Sequence, residues 1–186
     1  MVRQHGKQGI GPPTGEGEDG GDGVTSPAVI KTQHIGAAGE LLVQYQLLKY
    51  GIDSARLTTD SGIDLVMYVP GTKVAATIQV KSVLVPKSQQ PGGKPIFGLN
   101  FPDTCQAQWL AGADLSRDHV WLIRTDHARQ MAQQHRPNGI RALYWYINSS
   151  ERTGVAYAEA DLDPYRMPVV AAHLLAGESV IADGDS

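Results

Sequence analysis

Gly62-Ile63-Asp64-Leu65-Val66-Met67-Tyr68-Val69, then Pro70-Gly71-Thr72, then Lys73-Val74-Ala75-Ala76-Thr77-Ile78-Gln79-Val80-Lys81-Ser82, is the stretch whose reading decides the fold. Two runs rich in β-branched and apolar residues flank a Pro-Gly-Thr turn former, which predicts a hairpin of strands over 64–69 and 73–82. Side chains alternate faces along a strand. Gln79 and Lys81 therefore share one surface, while Ile78 and Val80 enter the opposite layer. Gly62 lets the chain bend sharply ahead of Asp64, so the carboxylate stands at a strand end. A hairpin brings Asp64, Gln79 and Lys81 within reach of one ion.

Those residue types suit one chemistry. Metal-assisted phosphodiester hydrolysis needs hard oxygen ligands for Mg²⁺, an activated water, and positive charge near the phosphorus as negative charge builds. Asp64 supplies an anionic oxygen, the Gln79 amide a neutral one, and the backbone carbonyl of Val80 a third. Lys81 adds a cation that orients water and stabilises the transition state. One carboxylate makes a weak magnesium site, so a second is expected, and Glu40 is the candidate. On a helix its neighbours three, four and seven residues away include Gly36, Ala37, Val43, Gln44 and Leu47, a mostly small or apolar stripe that a glutamate interrupts. Gly36 and Gly39 would let a phosphate backbone approach closely.

Working outward, 34–50 reads as a helix ended by Gly51, with a core stripe of Ala38, Leu41, Leu42, Tyr45 and Leu48. A short strand is expected over 53–58, a loop over 86–95, a short helix over 102–112 and a strand over 119–125. A helix over 126–135, capped by Asp126, and a strand over 141–147 complete the order. The sum is an α/β domain with a mixed central sheet flanked by helices, running helix, three strands, helix, strand.

With these residues assembled, the pattern resembles the PD-(D/E)XK nuclease superfamily, whose restriction-endonuclease-like core has this order. The match is Gly39-Glu40 on the first helix, Gly62-Ile63-Asp64 on the second strand and Gln79-Val80-Lys81 on the third, within roughly 33–147. Gln79 departs from the usual acidic residue. The Gln-x-Lys variant is similar to the Mrr-type endonucleases and to a group of small uncharacterised bacterial nuclease-like domains. In that group a Trp in the second helix and a Tyr-Trp strand recur, and Trp109 and Tyr144-Trp145 resemble them. The resemblance implies a Mg²⁺-dependent DNA endonuclease, with Mn²⁺ as a possible substitute, and catalytic Glu40, Asp64, Gln79 and Lys81.

Composition sets the frame. At 186 residues with 41% hydrophobic and 19% charged content, one domain plus tails is expected. Residues 1–27, dominated by Gly, Pro and acids, read as a disordered tail, 28–175 as the nuclease domain and 176–186 as a flexible end. A Gly15-x-Gly17-x-x-Gly20 match in the first tail lacks the strand and helix a nucleotide site needs, so no nucleotide cofactor is expected. The net charge is −3, but without the two tails 14 basic residues stand against 12 acidic ones. No run of about 18 apolar residues and no secretory leader is present, which predicts a cytoplasmic protein that does not cross a membrane. Cys105 is the lone cysteine and is read as structural.

His34, one and a half turns before Glu40, and Lys87 and Lys94 in the loop are candidate phosphate contacts. His119, His127 and His135 form no ligand set, and Trp109, Trp121 and Trp145 are read as packing residues. Cutting both strands would require a homodimer, for which Trp109 and the 120–123 strand would offer apolar surface. Two other readings stay open: a catalytically inactive nuclease-fold module that binds nucleic acid or a protein partner, and an unrelated α/β protein.

Overall fold

The computed structural model describes residues 30–58, 62–152 and 154–178. Helix α1 (Thr32–Lys49) leads into β1 (Asp53–Arg56), β2 (Leu65–Tyr68) and β3 (Ala76–Val83). Next come β4 (Ile96–Pro102), β5 (Trp109–Asp114), β6 (His119–Arg124), α2 (Thr125–Met131), β7 (Gln134–His135) and β8 (Ile140–Tyr146). A short β9 (Tyr157–Ala158), a 3₁₀ segment over Glu159–Tyr165 and α3 (Met167–Ala176) follow. Five strands form the central sheet in the order β1-β2-β3-β5-β6. Its pairs are antiparallel except β3 and β5, which run parallel, so the sheet is mixed.

The expected hairpin is present. Gly71, at φ 83°, and the Thr72 N–H bonded to the Val69 carbonyl close its turn, and Leu65 pairs with Ile78. Gly51, at φ 76°, ends α1 as its lack of a Cβ permits.

A second sheet, β4-β8-β7 with β9 beside β8, covers one face of the first. Alternation assigns each strand's residues to one of two cores. Leu65, Met67, Ile78, Val80, Ala111 and Leu122 meet Val43 and Leu47 of α1 and Met167, Val170 and Ala171 of α3. Leu110, Trp121 and Ile123 project the other way and meet Phe97, Leu99, Phe101, Leu143 and Trp145. There Phe97, Trp121 and Trp145 lie within 4.8–5.1 Å of one another, centroid to centroid, in tilted, stacked and edge-on pairs. Tryptophan as core packing is thus what the fold uses.

Several expectations are corrected here. Residues 102–112 form no helix: Pro102 ends β4, and Trp109 opens β5, a strand buried throughout because it is central and covered on both faces. The crossover between parallel β3 and β5 runs through a strand of the second sheet instead of a helix. Helix α2 stops at Met131, so His135 lies in β7, and Arg124 precedes the helix where Asp126 was expected. Trp109 and Val120 to Ile123 are buried in this chain's own core and have no surface for a partner copy.

The buried face of α1 is also rotated from the expected one. Gly39, Val43 and Leu47 are buried and Leu42 is half-buried, whereas Ala38, Leu41, Tyr45 and Leu48 face outward. Because α1 carries apolar residues around most of its circumference, spacing alone does not choose a face. Gly39 chooses it. A Cβ there would overlap the Ser82 side chain of β3, so only glycine lets the helix settle onto the sheet, and the Ser82 hydroxyl donates to the Ile35 carbonyl at 2.9 Å. Gln44 and Gln46 flank the contact, donating to the carbonyls of Ser54 and Asp118. The close approach expected between Gly39 and a phosphate is therefore spent on helix–sheet packing.

Residues 1–27 and most of 176–186, read as tails, lie outside the described residues. Of the latter, Ala176 closes α3 and Gly177, at φ 69°, caps it. Among the described residues no helix is long and apolar enough to cross a membrane.

Candidate active site

The polar centre forms where β2 leaves β3. Gly62, at φ 72°, turns the chain, and the Asp64 N–H donates to the Ile78 carbonyl at 2.9 Å. The next rung of the ladder is made by a side chain: Asp64 Oδ2 accepts the Val80 N–H at 2.6 Å. A charge-assisted bond of this length holds the carboxylate firmly against β3. Within a strand the N–H and C=O of one residue point to the same edge, so the Val80 carbonyl also points toward the Asp64 side.

Gln79 is 7% exposed and lies on the face turned toward the second sheet. Its Oε1 accepts from the Cys105 thiol at 3.5 Å, while its Nε2 lies on the Gly62 side, 3.6 Å from where a Cβ on that glycine would stand. The amide oxygen is thus turned to Cys105 and away from the Gly62 bend. A half-turn of the amide exchanges oxygen and nitrogen at the loss of one weak S–H bond. Lys81 is half-buried, and by the pleat it shares the Gln79 face. It pairs in register with Gly112 of β5.

Glu40 reaches this end of the sheet from the helix side. Its Oε2 accepts from Arg56 Nε at 2.9 Å and Nη2 at 2.6 Å, and Arg56 is the register partner of Leu65, the residue after Asp64. The pair is partly exposed, so it contributes only about 0–1 kcal/mol to stability. A ligand for Glu40 competes with Arg56 at little cost to the fold. The structure thus bonds Asp64 to the Val80 N–H, sets the Gln79 amide beside the Gly62 bend, gives Lys81 the same face as Gln79, and brings Glu40 to the same end of the sheet in the grip of an arginine. Among the described residues no three His, Cys, Asp or Glu side chains cluster as a ready-made metal site.

The three further candidates are exposed side chains. His34 is exposed in the first turn of α1, where its Nδ1 accepts the Lys31 N–H at 3.3 Å. Lys87 and Lys94 are exposed on the loop after β3, with Lys87 bridged to Ile96 of β4. Arg56 and Cys105 are the residues that sequence reasoning missed. Each acquires its partner across 16 and 26 residues of chain, with no local motif to mark it.

No known family profile matches the chain, and no curated protein resembles it in sequence. Its fold is similar to that of a bacterial homing endonuclease, I-Ssp6803I, at 14% identity and a TM-score of 0.56, covering 79% of this chain and 93% of the endonuclease. A Holliday junction resolvase, Hjc from the hyperthermophilic archaeon Archaeoglobus fulgidus, matches at 15% identity and a TM-score of 0.38 over 57% of this chain and 81% of its own. The α/β fold with a mixed central sheet flanked by helices is thus one that a nuclease shares.

Proposed function

We propose that the chain is a metal-dependent DNA endonuclease whose centre is Asp64, Gln79, Val80 and Lys81, with Glu40 contributing once Arg56 releases it. The observation that carries this reading is the Asp64 carboxylate at the mouth of the β2–β3 pair, bonded to the Val80 N–H and on the same edge as the Val80 carbonyl. Hard oxygen donors of this kind suit Mg²⁺, which keeps several waters and uses one or two carboxylates with substrate phosphate oxygens. An ion bound there would polarise the scissile phosphate and lower the pKa of a bound water. Asp64 is held in place by β3, so its position is set before substrate arrives. Lys81 presents its ammonium on the face where charge develops, and its half-burial reduces solvent screening of that charge. DNA as the substrate is suggested by the fold shared with a homing endonuclease.

Asp64→Asn separates chemistry from folding. The amide still offers an oxygen to the Val80 N–H but removes the anionic ligand. Cleavage of supercoiled and linear DNA in Mg²⁺ or Mn²⁺ should fall at least about 100-fold for Asp64→Asn and for Lys81→Ala, with EDTA abolishing the wild-type reaction. The unfolding free energy of Asp64→Asn should stay within about 1 kcal/mol of wild type. Undiminished cleavage by Asp64→Asn would overturn the assignment. Metal-independent binding without cleavage by the wild type would favour the inactive module.

A further inference from the structure

The outer face of the second sheet carries a trough of about 660 Å³ that the nuclease centre does not use. The pleat creates it. Leu143 and Trp145 of β8, and Phe97 and Leu99 of β4, point into the core, so Tyr144 and Tyr146 stand on the outer side, as do Ile96, Gly98 and Asn100 of β4. In register, Tyr144 faces Gly98 and Tyr146 faces Ile96, so no bulky side chain crosses from β4 to cover the Tyr144 ring. Both tyrosines are half-buried, which fixes their rings without hiding them. Gln133 anchors this part of β8 at the edge: its amide donates to the Tyr144 carbonyl at 2.8 Å and accepts the Tyr144 N–H at 3.0 Å.

The lining also has a sign. Lys87 and Arg136 stand among its described lining residues, which include no aspartate or glutamate, although the whole chain is net acidic. Lys94 sits at the rim with its ammonium 5.9 Å from the centre of the Tyr146 ring. Asn100 and Gln134 supply amide donors and acceptors between the cations. Two fixed aromatic faces two residues apart, flanked by cations and amides, match what an unpaired polynucleotide offers: base planes to stack, base edges to bond and phosphates to neutralise. A duplex keeps its base faces covered and offers the tyrosines nothing to stack on.

We propose that this trough binds single-stranded nucleic acid, with bases on Tyr144 and Tyr146 and the backbone along Lys87, Lys94 and Arg136. The inference rests on the nuclease reading for its polymer and on the trough for its strandedness. Strand β3, which carries Gln79 and Lys81, runs into the loop bearing Lys87, so a strand held here is tethered to the element of the cutting centre.

The test is fluorescence anisotropy with the full chain in EDTA, where no cleavage occurs, using a labelled oligothymidylate of about 12 nucleotides. Tyr144→Ala and Tyr146→Ala should each weaken binding about tenfold, and the phenylalanine variants, which keep a stacking face, about twofold or less. Lys87→Glu with Arg136→Glu, both at exposed positions, should remove binding and flatten its salt dependence. A thermal melt equal to wild type guards against misfolding of the alanine variants. Oligothymidylate affinity that ignores both the tyrosine and the charge-reversal changes overturns the proposal, as does equal tyrosine-independent affinity for a duplex competitor. Absence of cleavage by the wild type in Mg²⁺ or Mn²⁺ would sink the nuclease reading and leave the trough result standing. Tyrosine-independent binding would sink the trough and leave the cutting centre standing.

Discussion

At residue scale the instructive position is Gln79. An acidic residue there would place a second carboxylate beside Asp64, but the pocket is nearly closed and its polar neighbour is the Cys105 thiol, a weak donor. A neutral amide meets the cost of burial without a counter-charge, whereas a carboxylate in that environment needs a cation. This argues an outcome with a direction. Gln79→Glu should lower the melting temperature in EDTA, as an uncompensated carboxylate is buried, and Mg²⁺ should restore it by binding the folded state preferentially. The same variant should bind metal more tightly than wild type by isothermal titration. A destabilisation that Mg²⁺ does not relieve would show that Gln79 lies outside the ion's reach and that its amide serves only to satisfy Cys105 and the strand interior.

At the scale of elements, α1 shows why the right element can be read with the wrong face. Its existence, its Gly51 stop and the β2–β3 hairpin were legible because each depends on local chemistry: helix formers without proline, a glycine at positive φ, a Pro-Gly-Thr turn. Its buried face depends on Gly39 meeting Ser82, a contact between residues 43 apart in sequence, where an absent side chain decides the fit. Strand β5 was misread for a related reason. Its Trp-Leu-Ala-Gly-Ala core is buried on both sides, so no period-2 alternation survives to distinguish it from a helix. The placement of Asp64 and Lys81, the ends of the proposed centre, was legible because hairpin and pleat fix it. The Arg56 clasp on Glu40 was not, because it joins a helix and a strand with no shared motif. The corrected face makes a stability contrast. Leu47→Ala, fully buried, should cost about 2–5 kcal/mol by urea denaturation, and Gly39→Ala should cost about 1–3 kcal/mol as the helix is pushed off β3. Leu41→Gln and Tyr45→Gln, on the outer face, should each change stability by only about 0.5 kcal/mol. Equal losses on the two faces would refute the packing described.

At the scale of the whole molecule, one ionic cluster ties the two sheets and α3 together. Asp114 at the end of β5 accepts from Arg117 at 2.6 Å, and Arg117 Nη1 also reaches Glu159 at 2.9 Å. Glu159 accepts in addition the Asn148 N–H beyond β8 and Arg166 at the start of α3. Burial raises the Glu159 carboxyl, but the Arg117 hydrogen bond, the Asn148 N–H and the two arginine charges outweigh it, leaving the pKa below the ordinary 4.5. Neighbouring His119 is held below its ordinary 6.5 by burial and by the charges of Arg166 and Arg117. Both depressions act in the same direction. The unfolded chain takes up protons first at each group, so stability declines as pH falls, beginning near 6.5 for His119 and again below 4.5 for Glu159. The full contribution of both groups is present above pH 6.5. Glu159→Gln should cost about 2–3 kcal/mol at neutral pH, because Arg166 loses its counter-charge and Arg117 keeps only Asp114, while both guanidinium groups are only 22–23% exposed. It should also reduce the lower stage of acid destabilisation, which Asp103, held below its ordinary 3.8 by Arg141, shares, and His119→Asn should erase the upper one. Melting curves between about pH 3 and 8 measure both. A wild-type profile with no loss across the upper range would mean that His119 protonates freely in the fold, and the cluster would then join the sheets without sensing pH.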